Sequence, residues 1–406
     1  MEHTVEISSL VYEGYGLGRL PDGKAVFVPF VLPGETVRIK IREERKRFAY
    51  GGLVEIVEEN ENRISPKCKH FGQCGGCHYQ HIPYDLQLKY KREIFIEQMR
   101  RLGGIEEPSV EKIISCNQEW HYRNTLQFHL TPDGELAFMN AAQVHAFKTE
   151  ECYLPMKEIS KIWPLLAFEK GSGINRVEIR QNDLDDVLLK LEGKQAVIPA
   201  IEIASSISTV HISPNDQVVI GGNDYLILSV LKKEFHVSAG SFFQTNFIGA
   251  KALVDTVLEM ADGLSGVLMD LYCGVGLFSS FLADSFEQVV GIEASKSACA
   301  DYAINLDNYE HVSLYEGTVE RALPAIDISP DCVVIDPPRK GMNRFAIDGL
   351  VEKKPPVIIY VSCNPSTLAR DVKRLMRSGY LLEKSVLVDM FPQTYHIESV
   401  NYLTHK

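Results

Sequence analysis

Residues 360–371 read YVSCNPSTLARD: an apolar run ends in a cysteine, and an Asn-Pro pair follows at once. A thiolate is the strongest protein nucleophile near neutral pH. Cys363 stands where a strand should give way to a helix, whose N-terminus would lower the thiol pKa. A free cysteine also packs as a small buried hydrophobe, so its neighbours decide. Further on, FPQTYHIESV offers His396 and Glu398. A carboxylate there can return across a sheet to act as a base, or stay a solvated surface group. VVIDPPRKG closes another apolar run with Asp336; the two prolines fix φ and stiffen the loop behind it, although Asp-Pro-Pro also makes an ordinary turn. DLYCGVGLF places Gly274 and Gly276 directly after a strand-like run. The absent side chains let a ligand approach the backbone, and the following helix N-terminus favours an anionic group. Glu293 ends the next run in GIEAS, 23 positions after Asp270, where an acid can accept both hydrogen bonds of a ribose diol. A dinucleotide fingerprint would need a third glycine. The pattern therefore favours an adenosyl ligand without pyrophosphate, with a plain structural turn as the alternative.

These residues need elements that bring strand ends together. From about Phe235, the apolar runs GVLMDL, QVVGIEAS, HVSLYEGTV, DCVVIDPP and VIIYVSC alternate with helical patterns. That texture predicts an α/β domain with a doubly wound, largely parallel sheet, in which ligands bind beyond the strand carboxyl ends. Every candidate named above falls at such an end or in a neighbouring loop. Residues 1–60 alternate short β-rich runs with PDG and LPGE turns, as a small antiparallel barrel does. Residues 82–103 have helical periodicity and a Gly-Gly stop, and this helix should pack on the catalytic part. From Val110 to about Val230 the strand-like runs predict a β-rich middle domain. The resulting division is 1–60, 61–234 and 235–406.

At 406 residues, 45% apolar and 24% charged, the chain has the make-up of a soluble multidomain protein. MEHTVEISSL lacks the basic and apolar regions of a signal peptide, and no apolar run approaches the roughly 20 residues that span a bilayer. The expectation is a cytoplasmic protein that does not engage membranes. Nine cysteines in a reducing compartment point to metal ligands or a reactive thiol rather than disulfides. The net charge of -12 speaks against nucleic acid, but RIKIREERKR (Arg38 to Arg47) holds six basic residues against two glutamates. A polyanion would lie along the N-terminal part.

SFFQTN, DLYCGVGLFS, DPPRKG, VSCNPSTLARD and FPQTYHIES, in this order, resemble the signature of the bacterial RNA 5-methyluridine methyltransferases. The likeness is to the 23S rRNA branch, which carries a TRAM domain and an iron-sulfur cluster, and it covers nearly the whole chain. It implies a Rossmann-like class I methyltransferase domain, a TRAM barrel with an OB-like RNA-binding fold at 1–60, and S-adenosyl-L-methionine as methyl donor. It implies Cys363 as the nucleophile that adds to uracil carbon 6 and Glu398 as the general base. Gln244, Tyr272, Gly274, Glu293 and Asp336 fall at the cofactor, with Asp336 also facing the uracil. The target base must be turned out of its stack; Phe242 and Phe243 could pack near it, although core packing is the more ordinary role for both. CKHFGQCGGC sets Cys68, Cys74 and Cys77 in a C-x5-C-x2-C arrangement. With Cys152 of EECYLP, they would hold a structural four-iron, four-sulfur cluster. Spacing alone also admits tetrahedral zinc, and Cys116 is a weaker candidate for the fourth ligand. Leu277 and Thr318 depart from residues seen in some relatives. The resemblance leaves a transfer-RNA uridine methyltransferase as the nearest alternative and a noncatalytic RNA-binding or assembly factor as the other. It points to RNA as the partner; nothing in the sequence suggests an obligate protein partner or more than a monomer.

Overall fold

The computed structural model describes residues 2–194 and 207–406; the stretch 195–206 of the expected middle domain lies outside the described residues. Alternation shapes the N-terminal part. In β1 (Glu2–Val11), Val5 and Ile7 turn inward while Thr4, Glu6 and Ser8 face out. β2 (Tyr15–Arg19), β3 (Ala25–Pro29), β4 (Thr36–Glu44) and β5 (Phe48–Glu58) close with it into a barrel in the order β1-β2-β3-β5-β4. Closure removes free sheet edges, and Val26, Val28, Val37, Ile39 and Ala49 fill the interior.

Helix α1 (Tyr84–Gln98) follows and continues through a wider turn over Met99–Gly103. It buries Ile94, Phe95 and Met99 in the apolar cluster that covers one face of the catalytic sheet; fully burying a side chain of that size contributes about 1.5–3 kcal/mol. β6 (Val110–Ile114) then leaves the middle segment and pairs in parallel with a C-terminal strand. The middle domain therefore does not begin at Val110, as the strand-like texture suggested. It is built from β7 (Thr125–Leu130), β8 (Leu136–Met139), β9 (Ala146–Lys148), helix α2 (Lys157–Ile162), β10 (Ile174–Gln181), β11 (Val187–Gly193), β12 (Ser208–Ile212) and β13 (Gln217–Gly221). Among the described residues its seven strands run in the order β13-β12-β11-β10-β7-β8-β9. A hairpin, β14 (Tyr225–Val230) and β15 (Lys233–Ser238), shares its core with the catalytic helices.

The C-terminal part is α3 (Phe247–Ala261), β16 (Val267–Leu271), α4 (Leu277–Leu282), β17 (Gln288–Glu293), α5 (Lys296–Asn305), β18 (Val312–Glu316), α6 (Val319–Ala322), β19 (Cys332–Ile335), α7 (Arg344–Lys353), β20 (Val357–Ser362), α8 (Pro365–Arg377), β21 (Tyr380–Val388) and β22 (Glu398–His405). The central strands are largely apolar because helices cover both faces, with Asp270 of β16 as the buried acid among them. Their sheet runs β18-β17-β16-β19-β20-β22-β21-β6. β16 to β20 are mutually parallel, and β22 is antiparallel to both of its neighbours. Since β16 pairs with β17 on one side and β19 on the other, the strand order reverses there, and such a reversal opens a crevice beyond the carboxyl ends.

Candidate active site

Strand register sets the first pair. β20 and β22 run antiparallel from Val357 opposite Thr404 to Ser362 opposite Ser399. One further step along that register sets Cys363 across from Glu398. Directly opposed side chains of an antiparallel pair share a face, with Cβ atoms about 4.5–5.5 Å apart. Glu398 is buried at 7% exposure. Its carboxyl is held well above the usual range by burial and then by Asp336, against the pull of Arg339. Cys363 is half-buried, and its thiol is pushed up to about 12 by burial first, then by Glu398 and Asp336, with Arg339 opposing. The expected depression by a helix N-terminus is thus reversed. Asn364 caps α8 by accepting the Ser366 and Thr367 N–H groups at 3.0 and 3.3 Å, so those amides are spent on the cap while the thiol faces two carboxyls. The Asn-Pro pair is the hinge of this arrangement, since Asn364 caps the helix and Pro365 fills its first turn.

Asp336 follows β19 and donates its N–H to Leu271 O at 3.2 Å. Burial first, then Asp270, pushes its carboxyl up to about 7. Asp270, fully buried on β16, accepts the N–H and hydroxyl of Ser279 on Oδ2 at 3.1 and 2.6 Å, and Oδ1 has no hydrogen-bond partner. Its carboxyl also rises to about 7, chiefly through burial. The chain leaves β16 through three left-handed residues, Tyr272 (φ 64°), Gly274 (φ 55°) and Gly276 (φ 91°). Gly274 N–H donates to Glu293 Oε2 at 3.0 Å, and Oε1 accepts the N–H groups of Ala294 and Ser295, each at 2.7 Å. A Cβ on Gly274 would meet no atom within 4 Å, so this turn is open on its ligand side, as an adenosyl pocket requires. Tyr272 packs half-buried against the apolar cluster beneath it. The segment carrying Gln244 is tied down where the Ser241 and Ser297 hydroxyls meet at 2.7 Å, close to the turn after Glu293, and the Gln244 carbonyl accepts from Asn124 at 3.0 Å. Leu277 is buried, and Thr318 precedes α6 without a side-chain cap.

Cys68, Cys74, Cys77 and Cys152 line one cavity of about 600 Å³, away from Cys363. Burial raises all four thiols, Cys152 to about 12, while N–H groups of His70 and Phe71, of Gly76 and of Leu154 pull on Cys68, Cys74 and Cys152 respectively. Amides aimed at sulfur suit a thiolate ligand set. Among the described residues, however, no three His, Cys, Asp or Glu side chains are grouped closely enough to hold a metal ion. Cys116 is engaged elsewhere: its sulfur accepts from Asn246 Nδ2 at 3.2 Å. Of the two aromatics in SFFQTN, Phe243 joins the core, but Phe242 is 71% exposed and lines the same cavity, so core packing is not its role.

Two residues near the thiol were missed by sequence reasoning. Arg339, next after Asp-Pro-Pro, is signalled by that motif. Tyr12 comes from the barrel and has no signal in the sequence; burial and then Tyr395 and Cys363 raise its hydroxyl pKa.

A barrel is thus joined to an α/β domain in which a thiol and a carboxylate converge at the strand ends, and proteins similar to this chain over nearly its whole length are RNA methyltransferases. The TRAM domain matches residues 2–54 and the tRNA (Uracil-5-)-methyltransferase family residues 206–406. An uncharacterised RNA methyltransferase of Halalkalibacterium halodurans is 31% identical, covering 99% of this chain and 96% of the relative; one from Aquifex aeolicus is 32% identical, with 98% of each chain covered. The crystal structure of the tRNA (uracil-54, C5)-methyltransferase of Pyrococcus abyssi with S-adenosyl-L-homocysteine shares the fold, with a TM-score of 0.75 and 24% identity over 98% of this chain and 100% of that one. This chain belongs to the RNA uracil-5-methyltransferase family.

Proposed function

We propose that this protein methylates carbon 5 of a uridine in 23S rRNA, using S-adenosyl-L-methionine, through a covalent adduct between Cys363 and uracil carbon 6. One arrangement carries the reading: the register that opposes Cys363 to Glu398, beside the open turn at Gly274 and the carboxylate of Glu293. Uracil carbon 5 is too weak a nucleophile to be alkylated directly. When Cys363 forms its S–C6 bond, the displaced electron pair spreads over carbon 5 and the carbonyl oxygen. S-adenosyl-L-methionine supplies the electrophilic methyl group when bound. Glu398 then takes the proton from carbon 5, and the S–C6 bond breaks with its electron pair returning to sulfur. Burial keeps the thiol protonated at rest; its proton leaves to solvent before the sulfur adds, and a cationic ligand in the crevice would favour that loss by the electrostatics that Arg339 already exerts. Gln244, Tyr272, Gly274, Glu293 and Asp336 line the donor side.

Cys68, Cys74, Cys77 and Cys152 would hold a four-iron, four-sulfur cluster of structural role, a reading supported by their shared cavity and by the amides directed at three of the sulfurs. An iron-free, colourless protein from anaerobic preparation would overturn it. The domain division is 1–60 for RNA contact, 61–234 for the cluster-bearing middle and 235–406 for catalysis, with α1 and β6 as arms of the middle segment packed on the catalytic sheet. A monomer in the cytoplasm suits this work; among the described residues no helix is long and apolar enough to cross a membrane.

A transfer-RNA target is the second reading. It is favoured by the archaeal structure named for tRNA, whose likeness extends over 98% of this chain and so includes the barrel. Incubation with labelled S-adenosyl-L-methionine and separated rRNA and tRNA decides between them. Label in 23S rRNA supports the first reading and label in tRNA alone the second, while label in neither leaves an RNA-binding factor.

A further inference from the structure

The outer face of the barrel carries a group of aromatic side chains that its core does not use. Val26, Val28 and Ala49 point into the barrel, so alternation turns Phe27, Phe48 and Tyr50 outward. Phe27 lies directly opposite Tyr50 in the β3–β5 pairing. The rings of Phe27, Phe48 and Tyr50 lie 5.6–5.7 Å apart, and Tyr15 on β2 adds a fourth at 5.5 Å from Tyr50. All four are half-buried, with part of each ring open to solvent. Beside them, on the outer face of β4, Lys40 and Arg42 are exposed and have no ion pair among the described residues, whereas Arg38 is paired with Glu55. Arg42 lies across Gly52 on β5, the strand that carries Tyr50.

The patch leads to the crevice. Gly14, next to Tyr15, packs on the Tyr395 ring: a Cβ there would stand 3.3 Å from Tyr395 Cδ1. Tyr395 contacts the rings of Tyr12 at 5.7 Å and His396 at 4.4 Å, and His396 Nε2 is 3.5 Å from the Arg339 guanidinium beside Cys363. Aromatic surface therefore runs from the barrel to the thiol. Stacking faces with unpaired Lys40 and Arg42 beside them, and with Glu43 across from Tyr50 already held by Arg45, match unpaired nucleotides, which offer π-faces and phosphates together.

We propose that Tyr15, Phe27, Phe48 and Tyr50 form a stacking platform for the single-stranded nucleotides flanking the target uridine, and that Tyr395 continues the track into the active site. This rests on the RNA methyltransferase reading above. The test measures binding of the full-length protein to a fluorescein-labelled oligouridylate longer than the roughly 16 nucleotides that an OB-like fold spans. It also measures methyl transfer to total rRNA and tRNA. Phe27→Ala and Phe48→Ala should each weaken oligonucleotide binding about 5-fold or more at every salt concentration, as the loss of one stacked base implies. Lys40→Ala combined with Arg42→Ala should instead flatten the salt dependence. At saturating RNA the turnover of all these variants should match the parent, with KM raised. The conservative Tyr50→Phe should bind as the parent does, which separates stacking from damage to the barrel. Parental affinity in Phe27→Ala and Phe48→Ala, with the parent active, would overturn the platform; so would variants that lose self-association or a protein contact instead of RNA affinity. If the parent binds through the patch yet methylates no RNA, the platform stands and the catalytic reading fails.

Discussion

Replacing Glu398 by glutamine separates the two halves of the proposed reaction. Burial and Asp336 hold the carboxyl well above its ordinary range, and glutamine matches the carboxyl in shape while lacking a basic oxygen that can take up a proton. Folding should therefore be preserved and thermal melting should stay close to the parent. Cys363 can still add to carbon 6 and the methyl group can still be accepted, but the proton on carbon 5 has no base opposite it. Loss of a positioned general base costs about 10²- to 10⁴-fold, or about 3–5 kcal/mol of transition-state stabilisation. Asp336 is the other carboxyl that acts on Cys363, and partial substitution by it would put the loss at the lower end of that range. The protein should then accumulate joined to its RNA.

The assay is a denaturing gel with labelled RNA. Glu398→Gln should give a slow-moving band approaching one RNA per protein, absent when Cys363→Ala is added and weak in the parent, which releases product. A Glu398→Gln protein that turns over at the parental rate would refute the assignment of the base. Methylation surviving in Cys363→Ala would refute the covalent route altogether.

In Glu398→Gln, the rate of adduct formation isolates thiol ionisation: with Cys363 at about 12, the reactive thiolate fraction in the free protein grows about tenfold per pH unit, so the rate should climb from pH 6 to 9 without a plateau. A rate flat with pH would show a thiol already ionised. Asp270, at about 7 in the fold against an ordinary 3.8, favours its protonated form in the folded state, so stability is lost as pH rises from about 4 through 7. Asp270→Asn should accordingly melt progressively higher than the parent across that window, measured without cofactor, and the difference should level off above it. Lys91, fully buried on α1, donates to Asp389 Oδ1 at 2.6 Å and Phe391 O at 3.0 Å. Lys91→Ala should cost about 3–5 kcal/mol in denaturant unfolding by leaving Asp389 unpaired, while Lys91→Met with Asp389→Leu should recover most of it.

The sequence was most legible where one residue type has one physical use. Apolar runs of four to six residues alternating with helical patterns read as central parallel strands, and Cys363, Asp336, Gly274 and Glu293 stand at or just beyond their ends. Glu398 was legible as a carboxylate that can return across a sheet, but not the strand that brings it back: the antiparallel pairing of β22 with β20 does so, and a register is a relation between segments that neither segment contains. The same holds for β6, whose alternation fits any half-buried strand, so nothing local says that it crosses to the catalytic sheet. The thiol pKa failed for a related reason. The helix N-terminus beside Cys363 was visible, but the sign of the shift depends on who takes its amides and which charges face the sulfur. Asn364 takes the amides, and two carboxyls from β19 and β22 face the thiol.

Tyr12 and Tyr395 show where such reasoning stops. They lie in separate parts of the chain, and neither sits in a motif with Cys363, yet their rings meet 5.7 Å apart at the mouth of its crevice. What joins them is the seating of the barrel, where Leu10 and Leu32 enter the same apolar cluster as Phe95 of α1 and Tyr360 of β20. Gln87 of α1 in turn holds Gln393 through paired amide hydrogen bonds of 3.0 and 2.9 Å, fixing the segment that carries Tyr395 towards Glu398. The helix between the barrel and the sheet is thus the part that converts two separate folds into one site. Substitutions on its buried face should affect turnover and RNA binding together, because the nucleophile's partner and the barrel's entry to the crevice lean on the same residues.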